Sequence, residues 1–177
     1  VAKDFFHTEN FLRKGSQLTR LDIPSDASFD AHRQWLLVQT RSSWSVGGTT
    51  WPSGTLLATK FDDFMAGKPH FVALFTPDAH TSLASYSWTQ HHLLLDVLDD
   101  VKSKLEVLTP PTDHAASADW KHAMLPGAPA MSTISVVDTD PDHSDEYWLG
   151  VTGFLTPSSL ERGVLGSVPA ETIKQEP

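Results

Sequence analysis

The chain has 177 residues, 40% hydrophobic and 20% charged, with a formal net charge of −9 and no cysteine. That length suffices for one domain with a real core, and the composition is globular rather than disordered. The acidic balance speaks against a nucleic-acid partner, which calls for clustered Lys and Arg. No window approaches the roughly 20 apolar residues of a membrane crossing, and the lack of cysteine removes disulfides and thiolate metal sites while fitting cytoplasm and periplasm equally.

In chain order, the first segment, Val1 to Gly15, reads as a strand and turn around Phe5, Phe6 and Phe11. Leu18 to Ile23 alternates as a strand ended by Pro24, and Ser25 to Asp30 reads as loop. Gln34 to Arg41 is a strongly apolar strand, and Ser42 to Val46 with Gly47-Gly48 leads into a long Thr/Trp/Pro connection. Thr55 to Phe61 is the next strand. Asp62 to Ala66 fits one helical turn with Asp62 as cap and Gly67 as stop, and His70 to Phe75 is a fourth strand. Four strands joined by turns and loops make an up-and-down sheet.

A second unit starts with Thr81 to Trp88 and continues through His91 to Leu108 (HHLLLDVLDDVKSKLEVL). Leu93, Leu95 and Val97 share one face of an inner strand, and His92, Leu94, Asp96 and Leu98 the other. After an Asp99-Asp100 turn, Val101, Ser103, Leu105 and Val107 alternate with Lys102, Lys104 and Glu106, as on an outer strand with one wet face. A helix is the rival reading, because Leu94, Leu98, Val101 and Leu105 also fit helical spacing. Asp119 to Leu125 closes the unit after a Pro/Ala/Ser loop. A third unit comprises Ser132 to Val137, a loop from Asp138 to Asp145, Glu146 to Leu155, Ser158 to Leu165 and Glu171 to Gln175.

Placed without gaps, Gln34 to Val38 lies over His91 to Leu95 and over Glu146 to Gly150, at offsets of 57 and 55 residues (34 to 91, 91 to 146). Each is the second strand of its unit. Four-stranded repeats of roughly 40–50 residues are the signature of propeller blades. The expected fold is therefore all-β, a single region over 1–177 forming a partial β-propeller of about three antiparallel blades, approximately 18–76, 81–125 and 132–176. A β-sandwich or barrel is the alternative. Three blades do not close a ring, and with Val1 in place of an initiator Met the chain reads as a processed or excised piece.

Motifs for catalysis are missing: no Gly-x-Ser-x-Gly elbow, His-Glu-x-x-His, phosphate loop or dinucleotide fingerprint occurs. The run Asp138, Asp140, Asp142, Asp145 and Glu146 resembles a calcium loop superficially. His143 stands where that loop has Gly and Leu149 where it has a bidentate Glu, so a solvated hairpin loop is expected. His91 and His92 point to opposite faces of a strand and cannot share one metal ion. No metal and no cofactor is expected. Arg41, Trp44 and Trp51, around the Gly47-Gly48 loop, offer a planar cation and aromatic surfaces for substrate binding, although such aromatics also pack against strands.

LLLDVLDDVKSKLEVL from Leu93, EYWLGVTGFLTPSSL from Glu146, LTRLDIP from Leu18 and SGTLLATKFDDFMAG from Ser53 resemble the propeller domain of the prolyl oligopeptidase family of serine peptidases. The resemblance runs from about Leu18 to the C-terminus. It implies a seven-bladed propeller over an α/β-hydrolase domain that holds a Ser, Asp and His triad, the propeller admitting only short peptides. This chain resembles the later blades and lacks every triad position, so no catalytic residue carries over. The expected partners are then the hydrolase domain of a longer protein, a peptide substrate through it, and a second copy through exposed blade edges.

Overall fold

The computed structural model describes residues 9–100, 102–112, 119–125, 132–153 and 157–176. They are almost entirely strand and turn, and they divide into two compact units, Val1–Pro77 and Asp78–Pro177. The expected strand over Val1 to Gly15 is described only from Glu9 onward; the Thr109-to-Ala118 loop is described only in part.

In the first unit, β1 (Asn10–Lys14) and β2 (Gln17–Leu21) form a two-stranded hairpin. Gly15 supplies its left-handed turn residue at φ 63°. A four-stranded antiparallel sheet follows in the order β3 (Ser28–His32), β4 (Trp35–Gln39), β7 (Leu56–Lys60) and β8 (Val72–Phe75). Here the sequence reading needs correcting. The first strand of the sheet is Ser28–His32, which begins inside the stretch Ser25 to Asp30 that the sequence marks as loop, whereas Leu18–Leu21 pairs with β1 instead. Ser28–His32 is an edge strand with one large apolar residue, Phe29, and that is 39% exposed. Its ladder to β4 holds it in place, and a ladder leaves no hydrophobic periodicity to read.

The long Thr/Trp/Pro connection is also structured. β5 (Trp44–Val46) and β6 (Thr49–Trp51) form a small hairpin turned by Gly47 and Gly48 at φ 62° and 79°. The pair of positive φ angles is the signature of the hairpin turn that matches strand twist. A knot of threonines fixes its base. The Thr40 and Thr55 hydroxyls both donate to the Pro52 carbonyl, at 2.7 and 2.8 Å, and the Thr55 amide donates to Thr40 Oγ1 at 3.0 Å. These bonds satisfy two polar side chains that are 2% and 0% exposed.

The helical turn is α1 (Phe61–Met65). Asp62 is not its cap: Lys60 occupies that position without a side-chain bond, and Asp62 and Asp63 lie inside the first turn, where their charge suits the helix dipole. Gly67 does stop the helix. Its φ is 72°, its amide donates to the Phe64 carbonyl and the Lys68 amide donates to the Asp63 carbonyl, the two bonds of a Schellman ending.

The second unit holds two more four-stranded meanders. One runs β9 (Thr81–Trp88), β10 (Leu93–Asp99), β11 (Lys102–Thr109) and β12 (Lys121–Met124). The other runs β13 (Ser132–Thr139), β14 (Glu146–Gly153), β15 (Ser159–Val164) and β16 (Val168–Gln175). The helix rival for Leu94 to Leu105 is excluded, since β10 pairs with β11 from Leu93↔Leu108 to Asp99↔Lys102. Leu93, Leu94 and Leu95 are all fully buried, so β10 is apolar on both faces as an inner strand must be. Asp100, at φ 54°, occupies the turn.

Among the described residues, the three four-stranded sheets are separate antiparallel meanders, as in a partial propeller of about three blades, and they do not close into a barrel. As the repeat comparison predicts, β4, β10 and β14 are each second in their sheet.

The gapless register of that comparison fails for the third blade. Leu94 and Leu105 of the second blade pack with Ile134, Tyr147, Leu149 and Val151 of the third in one buried cluster. In a stack of like-oriented blades each seam joins opposite faces of equivalent strands, yet Leu94 and Leu149, superposed without gaps, meet across one seam. The equivalence of β14 with β10 must therefore shift by an odd number of residues, because a slip of one exchanges the faces of a strand. Gly163 belongs to the same seam. It lies opposite Tyr147, and a Cβ there would fall 2.4 Å from the tyrosine hydroxyl oxygen.

Candidate functional site

The three residues singled out for binding all lie at the β5–β6 hairpin. Trp44 and Trp51 occupy directly opposed positions of its ladder. Trp44 meets Phe71 edge-on, with ring centroids 5.2 Å apart, and Phe71 in turn meets Phe64 of α1 at 6.3 Å. This aromatic chain ties the hairpin to the helix. Trp51 is half-buried, and its indole N–H is buried with no acceptor among the described residues. Arg41 is exposed; its carbonyl accepts the Ser53 hydroxyl at 2.7 Å, which holds the segment while the guanidinium stays in solvent. The tertiary structure thus brings the two tryptophans together and leaves Arg41 at the hairpin base.

A cleft of about 480 Å³ opens nearby, lined by Thr19, Arg20, Asp22, Val46, Phe64 and Lys68 among others. None of Arg41, Trp44 and Trp51 is among its lining residues. Sequence reasoning passed over Arg20 and Lys68, because nothing in their spacing marks two cations 48 positions apart as neighbours of one cleft (20 to 68). Arg20 pairs with Glu9 at 3.6 Å.

The most concentrated polar geometry is in the second unit, where Asp145, just before β14, is the hub. Its Oδ1 accepts from the Thr89 hydroxyl at 2.8 Å and the His91 amide at 2.7 Å, and its Oδ2 lies 2.8 Å from His91 Nδ1. The Gln90 amide adds a bond to the Ser144 carbonyl at 2.9 Å. Burial by itself pushes the Asp145 carboxyl up, but the bonds from His91 and Thr89 together outweigh it and hold the group below its ordinary value.

A hydroxyl, an imidazole and a carboxylate in one cluster invite comparison with a nucleophilic triad. The order of contacts rules that out. Both Thr89 and His91 bond the carboxylate, whereas a triad places the imidazole between hydroxyl and carboxylate so that it can take the hydroxyl proton. The cluster is a clasp joining the turn before β10 to the loop before β14.

The two adjacent histidines go separate ways, His91 to Asp145 and His92 to Thr109 Oγ1 at 2.8 Å. The acidic loop connects β13 to β14, and two of its carboxylates, Asp138 and Asp140, bond its own turns. Asp140 Oδ1 accepts the amides of Asp142 and His143, at 3.2 and 3.1 Å, and Asp138 Oδ1 accepts the Thr139 amide at 2.9 Å. Beyond it, Glu146 binds the Trp148 indole at 2.8 Å and the Arg162 guanidinium, which lies 5.7 Å over the Trp148 ring.

No family model matches the chain. Among curated proteins it is 31% identical over 169 residues to the uncharacterized peptidase y4nA of Sinorhizobium fredii, a match that spans 89% of this chain and 22% of that protein. Among solved structures it is similar to a post-proline cleaving enzyme from Rickettsia typhi, with a TM-score of 0.80 at 20% identity over 97% of this chain and 25% of that one. Oligopeptidase B from Trypanosoma brucei follows at a TM-score of 0.65, 14% identity, 91% of this chain and 22% of that one. The chain spans about a quarter or less of the length of the proteins it matches.

Proposed function

From its likeness to the β-propeller portion of prolyl-oligopeptidase-type peptidases, we propose that this chain is the non-catalytic part of such an enzyme, gating and lining the access of short peptides to a hydrolase domain that the chain does not contain. The observation that carries the reading is the fold match over 97% of this chain and only 25% of its neighbour, joined to the lack of a Gly-x-Ser-x-Gly elbow. The physical logic is steric. A narrow passage bounded by stacked blades admits a flexible peptide and rejects a folded protein, so hydrolysis behind it is confined to small substrates. The net charge of −9 favours basic peptides.

In this reading Trp44, Trp51 and Arg41 are the substrate-binding candidates, the tryptophans as an apolar surface and Arg41 as an exposed cation beside it. The sheet ranges 28–75, 81–124 and 132–175 are consecutive blades, and their free outer edges suit pairing with a second copy. A separate reading, an independent all-β binding module, is favoured by the 480 Å³ cleft with Arg20 and Lys68 at its wall.

The source reading frame and one assay separate the two. The peptidase reading expects a hydrolase segment encoded with this one, cleavage of a short proline-containing peptide by the longer protein, and none by the 177-residue chain alone. A frame bounded by an initiator Met before Val1 and a stop after Pro177 would overturn it. So would robust hydrolysis by the isolated chain.

A further inference from the structure

The seam between the second and third blades holds a buried carboxylate that the clasp does not use. Asp96 lies on β10, two residues after Leu94 and directly opposite Leu105, so its side chain shares the face that packs on the third blade. It is 6% exposed, and its Oδ1 has no hydrogen-bond partner among the described residues. Beside it the β9 ladder shifts at a bulge between Asp96 and Val97.

Among the described residues the surroundings offer no counter-ion. On β11 the residues of the same face are Ser103, Leu105 and Val107, while Lys102, Lys104 and Glu106 alternate to the other face. On β9 the residue opposite is Ser85. From the third blade, β13 presents Ser132, Ile134 and Val136. The titratable groups on this side are His92 at the start of the strand, Tyr147 on β14, Glu161 on β15 and the exposed Lys121 opposite Thr109. His92 is taken up by Thr109. Tyr147 and Glu161 bear no cationic group, and neither compensates a carboxylate.

We propose that Asp96 makes this seam proton-dependent: protonated, it is a neutral hydroxyl that apolar neighbours tolerate, and deprotonated, it is an unpaired charge that draws water between the two blades and loosens them. A buried carboxylate without hydrogen bonds or an ion partner is among the costliest groups a core can hold. Burial accordingly raises the Asp96 carboxyl above its ordinary value, with no opposing charge. The sign is opposite to that of the clasp. A raised folded-state value gives stability that is complete below the ordinary Asp value, near pH 4, and lost as pH rises from there toward the raised midpoint. The inference rests on the stacking of the two blades and stands whether or not the chain serves a peptidase.

The absence of cysteine makes seam opening measurable. In an Ile134→Cys variant, a thiol placed where the native side chain is 1% exposed reacts with a disulfide reagent only when the seam opens. With rates corrected for the thiolate fraction of a free peptide, labelling is expected to rise between pH 4 and pH 8. Adding Asp96→Asn is expected to flatten that rise, and an unchanged rise overturns the proposal. Should the cysteine variant not fold, carbon NMR titration of the Asp96 carboxyl in the unaltered chain decides. A midpoint above the ordinary Asp value supports the proposal, and one at or below it refutes it.

Discussion

His91 Nδ1 lies 2.8 Å from Asp145 Oδ2, and the His91 amide lies 2.7 Å from the other oxygen of the same carboxylate. One residue of the second blade therefore grips one residue of the third with both its side chain and its backbone, across 54 positions of sequence. Because Asp145 sits below its ordinary value, the clasp contributes stability that is complete above about pH 4 and lost as pH falls through the depressed midpoint. Urea titrations from pH 7 to pH 2.5 should show that loss in the native chain. Asp145→Asn should be destabilised at pH 7, by about 1–3 kcal/mol for a bonded carboxylate, and should lack this part of the acid limb. A variant with the full native acid limb would show that the clasp does not carry it.

Gly163→Ala tests the packing of the same seam. The new Cβ would fall 2.4 Å from the Tyr147 hydroxyl oxygen and 2.5 Å from its ring carbon, and a fully buried ring has no free rotamer to retreat to. A loss of about 1–3 kcal/mol is expected from overpacking. Gly163→Ala combined with Tyr147→Phe, which removes the nearest atom, should recover part of it in the same denaturation assay.

Thr40→Val probes the knot under the β5–β6 hairpin. Valine keeps the shape but removes the shorter hydrogen bond of the Thr55 amide and one of those to the Pro52 carbonyl, which keeps the Thr55 hydroxyl. The expected cost is about 1–3 kcal/mol, with faster amide exchange at Thr55. Unchanged exchange would mean that the hydroxyl is not what holds the hairpin base.

Packing and binding at the hairpin are separable. Trp44→Ala loses the edge-on contact with Phe71 and should cost about 1–2 kcal/mol for a half-buried aromatic. Arg41→Ala changes an exposed side chain and should stay within about 0.5 kcal/mol of the native stability. If the substrate-binding proposal is right, Arg41→Ala weakens the capture of a short peptide in the longer protein while leaving its unfolding midpoint alone. Equal peptide affinity in the two proteins would remove Arg41 from the site.

The apolar strands were legible from the chain itself. Thr81–Trp88 follows residue for residue from its pattern, and the inner and outer strands within His91 to Leu108, on either side of the Asp99-Asp100 turn, match the observed Leu93–Asp99 and Lys102–Thr109 to within about two residues at each end, since period-two burial is a local property of consecutive side chains. So was the stop at Gly67, where a left-handed residue is a local demand. What the chain alone left open is everything that depends on a distant partner. Ser28–His32 is a strand because β4 pairs with it, and Leu18–Leu21 lies outside that sheet because β1 does. Alternation shows that a strand has two faces without showing what covers them, so the register of the third blade, the closure of Gly163 on Tyr147, the grip of His91 on Asp145 and the isolation of Asp96 were settled only when the second and third blades packed together. Hydrogen-bond ladders and seams are made between segments tens of residues apart, and the choice among partners is an energy of the assembled fold rather than of any one stretch.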